Sequence, residues 1–174
     1  FMGTSVTVDK IDGLWAYLTP HTEPTPNAMT GGWVIKNHLF PLLDFPTTKE
    51  AKRQAILAAA SRLTGVPYLW GGTNAIGIDC SGLAQLSYRM AGLPIPRDAD
   101  MQKAAGHLAQ KPFNPGDLVF FGDEGDLERI THVGISLGGW EIIHSSRSRN
   151  GVYTDNIQQV PHLLETFAGG FSLL

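Results

Sequence analysis

Apolar positions change their period part-way along the chain. Over residues 48–63 they fall at Ala51, Ala55, Ile56, Ala59 and Leu63, one face of a helix whose small side chains suit close packing. Thr47 or Thr48 can cap this helix, Glu50 suits its positive end, and Gly65 with Pro67 ends it. A second helical run over 80–91 carries Leu83, Leu86 and Met90 on one side and stops at Gly92, and a short third helix over 98–108 follows Pro94 and Pro96. Beyond Pro115-Gly116 the pattern turns to strands over 117–121, 130–137, 140–145 and 151–156, with Gly138-Gly139 as a hairpin turn. Helices first and antiparallel strands afterwards make an α+β domain over 47–174, with the second helix packed on the sheet.

The first 46 residues read differently. Two β-like runs, 14–18 and 32–35, flank a Pro-rich, turn-forming stretch from Thr19-Pro20 through Pro26-Asn27. This is a short β-rich module, too short for a full barrel. The chain starts Phe1-Met2-Gly3 with no signal-peptide pattern, which reads as a truncated or processed N-terminus.

Composition narrows the function. At 174 residues and 43% hydrophobic content, the chain can bury one core with a small appended module. A formal charge of −3 offers no basic footprint for nucleic acid. No apolar run approaches the roughly 18 residues of a membrane-spanning helix. The single cysteine cannot form an internal disulfide.

That cysteine lies in Asp79-Cys80-Ser81-Gly82-Leu83, after the Gly71-Gly72 turn and at the head of the second helix. Unpaired N–H groups and the positive end of the helix dipole favour thiolate there. A buried structural cysteine is the alternative. Histidine tips the balance. Thr131-His132-Val133 and Ile143-His144-Ser145 lie on neighbouring antiparallel strands, which can bring His132 and His144 side by side. A thiol nucleophile needs a base and a third polar group that orients the base.

Asp79-Cys80-Ser81-Gly82-Leu83, His132-Val133-Gly134-Ile135 and His144 together resemble the NlpC-type cell-wall peptidases, a branch of the papain-like cysteine peptidases. Pro67-Tyr68-Leu69-Trp70-Gly71-Gly72 and Asn114-Pro115-Gly116-Asp117-Leu118-Val119-Phe120-Phe121 match the same pattern, so the resemblance covers about residues 50–150. It implies a papain-like fold with Cys80 as nucleophile, His132 as general base and then acid, and His144 orienting His132. It also implies Tyr68 beside the backbone N–H of Cys80 as oxyanion donor, worth about 3 kcal/mol. No metal or cofactor is implied. The run Gly31-Gly32-Trp33-Val34-Ile35-Lys36-Asn37-His38-Leu39 resembles the last strand of a bacterial Src-homology-three-like barrel, a frequent companion of this peptidase type.

A narrower resemblance concerns substrate. Tyr68-x-Trp70, Asp79, Ser81 and Pro96-Arg97-Asp98-Ala99 with Gln102 resemble the γ-D-glutamyl-L-diamino acid endopeptidases, which cut bacterial stem peptides after D-glutamate and prefer a free N-terminal L-alanine. The implied partner is a peptidoglycan stem peptide or muropeptide, in the cell envelope, secreted, or in cytoplasmic recycling. Asp79 would bind the substrate ammonium, with Ser81, Tyr68 and Trp70 walling that end of the cleft. Arg97 would hold a substrate carboxylate or pair with Asp98 or Asp79. Asp79 can equally serve as a helix N-cap.

Other readings compete with these. An amidase or acyltransferase could use the same Cys-His pair, and a catalytically silent wall-binding protein could keep the fold. Cys80, His132 and His144 could hold zinc, though structural zinc usually takes four protein ligands. The acidic run Asp123–Glu128 does not follow a calcium-hand order and reads as a solvated hairpin loop. His21, His38, His107 and His162 lie outside the motifs and are assigned no role.

Overall fold

The computed structural model describes residues 2–19 and 31–174. It divides into two units, residues 3–45 and residues 46–174 together with Met2. The smaller unit is an antiparallel sheet of β1 (Thr7–Asp12), β2 (Trp15–Thr19) and β3 (Gly32–Ile35), in that order. Strand β1, largely exposed, has too little alternation to show in the sequence. The Pro-rich stretch after Thr19 lies outside the described residues.

The larger unit is α+β and papain-like. Helix α1 (Lys49–Arg62) starts at Thr48, whose hydroxyl accepts the Ala51 N–H at 3.2 Å, and ends before Gly65 in the left-handed region at φ 82°. After the two-residue strands β4 (Thr73–Asn74) and β5 (Gly77–Ile78), helix α2 (Cys80–Met90) buries Leu83, Ala84, Leu86 and Tyr88. Helix α3 is shorter than the pattern indicates, covering Ala99–Ala105. Gly106 breaks it, and His107–Leu108 becomes β6, because backbone pairing with the distant C-terminal strand overrides local helical spacing.

Then come β7 (Leu118–Asp123), β8 (Asp126–Gly138), β9 (Glu141–Ser146), β10 (Gly151–Asn156), the short α4 (Pro161–Glu165) and β11 (Phe167–Ser172). The sheet runs β10-β9-β8-β7-β11-β6, all neighbours antiparallel. Alternation along the strands sends Val133, Ile135 and Ile143 into the core with α1 and α2, and Phe121 and Ile142 into a second cluster with Phe113 and Leu163. The turn before β7 ties the helices down: Arg53 pairs with Asp117 at 2.9 Å, and the buried Tyr88 hydroxyl donates to the Gly116 carbonyl at 2.5 Å. Among the described residues, no helix is long and apolar enough to cross a membrane.

Candidate active site

Cys80 is the first residue of α2, and Asp79 is its cap. Asp79 Oδ1 accepts the Gly82 N–H at 2.7 Å, while Oδ2 accepts the Gly71 N–H at 2.9 Å. The turn passes so close that a Cβ at position 82 would collide with the Gly72 carbonyl, so glycine is required there. Behind the cap, Arg97 bonds Asp79 Oδ2 at 2.6 Å and the Ser81 hydroxyl at 2.8 Å, and buried Gln102 donates to the Ser81 carbonyl at 3.0 Å. Asp79, Ser81 and Arg97 thus form a bonded cluster that braces the start of α2. Asp98, at the head of α3, is exposed and makes no cap hydrogen bond.

Cys80 opens on a cleft of about 540 Å³ together with Tyr68, Trp70, His132, His144 and Arg147. His132 on β8 and His144 on β9 sit diagonally across the pair, His132 Nε2 and His144 Nδ1 2.8 Å apart. Gly134 lies between them, and a Cβ there would press on the end of the Ile142 side chain and sit tightly against His144. His144 continues the line: its Nε2 lies 3.2 Å from Asp155 Oδ2 on β10, and Asp155 is bound in turn by Arg149. A carboxylate held by a guanidinium only accepts hydrogen bonds, so His144 carries its proton at Nε2 and accepts at Nδ1. His132 then donates through Nε2, which leaves its Nδ1 lone pair free to take a proton. Tyr153, opposite His144 in the β9–β10 register, packs on the imidazole with ring centres 4.6 Å apart.

Electrostatics depart from the helix-dipole expectation. Burial pushes the Cys80 thiol up from its ordinary range, with Asp79 adding to the rise, against the pull of the Val133, Ser81 and Cys80 N–H groups. Burial likewise drives His132 down to about 3, with His144 as a further cause, and His144 down to about 4. Desolvation outweighs the dipole. Burial therefore favours the neutral thiol and the neutral imidazoles over their charged forms. Tyr68 is also raised, first by burial and then by the neighbouring Cys80, while the Arg147 guanidinium over its ring pulls the other way.

The sequence marks Tyr68, Trp70, Cys80, His132 and His144, and these five share the cleft; Asp79, Ser81, Arg97 and Asp98 are not among its lining residues. Sequence reasoning missed Asp155, Arg149 and Tyr153, which only the β9–β10 register brings to His144. Both ring nitrogens of His144 are engaged by His132 and Asp155, and among the described residues no group of three or more His, Cys, Asp or Glu side chains is arranged to hold a metal ion.

Comparison with known proteins agrees with the fold and the motifs. The NlpC/P60 family profile matches residues 65–167, more than half of the chain. The chain belongs to the NlpC/P60 family. Among curated members it is 41% identical over 97 residues to the bifunctional muramidase/DL-endopeptidase CwlT of Bacillus subtilis, covering 55% of this chain and 30% of that protein. It is 35% identical over 106 residues to the gamma-D-glutamyl-L-lysine dipeptidyl-peptidase of Bacillus cereus, covering 60% and 32%. The crystal structure of an NlpC/P60 family protein from Bacillus cereus ATCC 10987 superposes with a TM-score of 0.81 at 28% identity, over 98% of this chain and 54% of that one. The chain thus spans about a third of the length of these two curated NlpC/P60 relatives.

Proposed function

We propose that this chain is a cysteine endopeptidase that hydrolyses the γ-D-glutamyl–diamino acid bond of peptidoglycan stem peptides bearing a free N-terminal L-alanine. One observation supports the reading most: Cys80, at the first turn of α2, opens on the same cleft as the hydrogen-bonded line His132–His144–Asp155. Relatives named gamma-D-glutamyl-L-lysine dipeptidyl-peptidase support the bond cleaved. The setting proposed is the bacterial cell envelope, and the division at residue 46 is proposed as the boundary between an accessory β-rich module and the peptidase domain.

In this mechanism His132 Nδ1 takes the thiol proton as Cys80 Sγ attacks the scissile carbonyl. Because burial favours the neutral pair, proton transfer accompanies attack instead of preceding it. Tyr68 Oη and the Cys80 N–H take the developing oxyanion. His132 returns the proton to the leaving amine of the diamino acid, leaving a thioester on Cys80. Water then attacks with His132 as base, releasing L-Ala-γ-D-Glu and restoring the thiol. His144, its tautomer set by Asp155, holds His132 throughout. Asp79 is proposed to meet the substrate ammonium, which requires that it share its carboxylate with Arg97 and the cap N–H groups.

Mass spectrometry of L-Ala-γ-D-Glu-diaminopimelate, its lysine analogue and an N-acetylated copy tests the reading. Cleavage after D-glutamate that weakens on acetylation is the expected result. Cleavage at another bond, or of none of the three peptides by folded, reduced protein, would overturn it.

A further inference from the structure

Two arginines line the cleft, and they are held in different ways. Arg149 is bound by Asp155 and stacks on Tyr153, its guanidinium 3.6 Å from the ring centre. Its charge is matched. Arg147 has its guanidinium 5.5 Å from the Tyr68 ring centre and 5.4 Å from that of Trp70, and it forms no ion pair among the described residues. Ring faces orient a guanidinium without cancelling its charge, and they leave the in-plane N–H edge for an acceptor. Asp155 is the only carboxylate among the cleft-lining residues described and is already engaged, so the cleft carries one unmatched cation, adjoining the tyrosine beside Cys80.

We propose that Arg147, clamped by Tyr68 and Trp70, recognises a carboxylate of the substrate and makes the cleft selective for acidic over amidated stem peptides. This rests on the peptidase reading above. A γ-linked D-glutamate keeps its α-carboxylate a short carbon chain from the scissile carbonyl, a reach that suits a cation adjoining Tyr68. The diamino acid carboxylate is the other source of the same chemistry, on the leaving-group side.

The test measures binding to the full chain carrying Cys80→Ala, so it is independent of turnover. Three ligands are compared by calorimetry: L-Ala-γ-D-Glu-diaminopimelate, its D-isoglutamine counterpart, and a copy amidated only at the diaminopimelate carboxyls. Loss of a charge-assisted pair lowers affinity on the order of ten- to a hundredfold. The expected result is that loss for the D-isoglutamine ligand, with little change for the other amide, and a preference that collapses when Arg147→Gln is added and partly returns with Arg147→Lys. A loss confined to the diaminopimelate amide, abolished in the same way by Arg147→Gln, assigns the carboxylate to the leaving group. Equal binding of all three, no binding of any, or a preference that survives Arg147→Gln overturns the proposal. Carboxylate-selective binding without any hydrolysis by the unmodified protein would keep this subsite and reject the peptidase reading.

Discussion

At the inner end of the cleft His144 keeps only 1% of its surface and engages both ring nitrogens with protein partners, whereas at the outer end Trp70 stays 74% exposed. The inner line runs through three neighbouring strands, so backbone register sets its geometry. The outer wall combines Tyr68 and Trp70 with Arg147, whose guanidinium lies over both ring faces. Low dielectric makes the inner contacts strong and directional, which suits moving a proton. Exposed, cationic aromatic surface suits a ligand that arrives and leaves. Substitutions along the inner line should therefore act on kcat and those of Trp70 and Arg147 on KM, while Tyr68, which neighbours Cys80, joins the two ends and acts on kcat through its hydroxyl.

The largest effect expected is from Cys80→Ala or His132→Ala, each lowering kcat at least about a thousandfold, read by peptide turnover. Tyr68→Phe comes next, with a drop of about a hundredfold in kcat if the hydroxyl holds the oxyanion. Asp155→Asn keeps the shape and removes the charge behind His144, so kcat should fall about tenfold, with less effect on KM. Trp70→Ala should raise KM several-fold at nearly constant kcat; a kcat loss as large as that of Asp155→Asn would erase the distinction between the two ends. Tyr88→Phe, away from the cleft, should cost about 1 kcal/mol of stability through the lost bond to the Gly116 carbonyl, read by urea denaturation, and leave kcat unchanged.

Dependence on pH separates the two ends further. His132 is held below its ordinary 6.5, so it refuses a solvent proton until well into acid, and the acid limb of kcat/KM should lie below pH 6.5. Folding shares the sign. The unfolded histidines bind protons through 6.5 while the folded ones wait until about 3 and 4, so stability is full above 6.5 and is lost as pH falls toward those values. A midpoint of thermal unfolding that stays constant between about pH 7 and pH 5 would contradict the buried neutral pair.

Much of this was legible because its determinants are local. Asp79 followed by Cys80 and a helical run marks both the cap and the proposed nucleophile, and the Gly138-Gly139 turn fixes which strands hold His132 and His144. Asp155 was not legible, since its partner depends on the register β10 takes through the turn at Asn150, which adopts φ 50°. Strands β6 and β11 escaped for a related reason: each is short or glycine-rich and made by pairing between segments far apart in the larger unit, as Ser172 with His107 and Phe167 with Phe121. The burial that opposes the helix N-terminus at Cys80 was not legible, because a dipole can be read from position in a helix whereas desolvation depends on what the fold packs around the thiol.

Acid-quenched intact-mass analysis of the full chain with L-Ala-γ-D-Glu-diaminopimelate, beside Cys80→Ala under the same conditions, tests the central claim most directly. The account predicts an L-Ala-γ-D-Glu acyl group on the Cys80 peptide and no turnover by the variant. Undiminished cleavage by Cys80→Ala would contradict it.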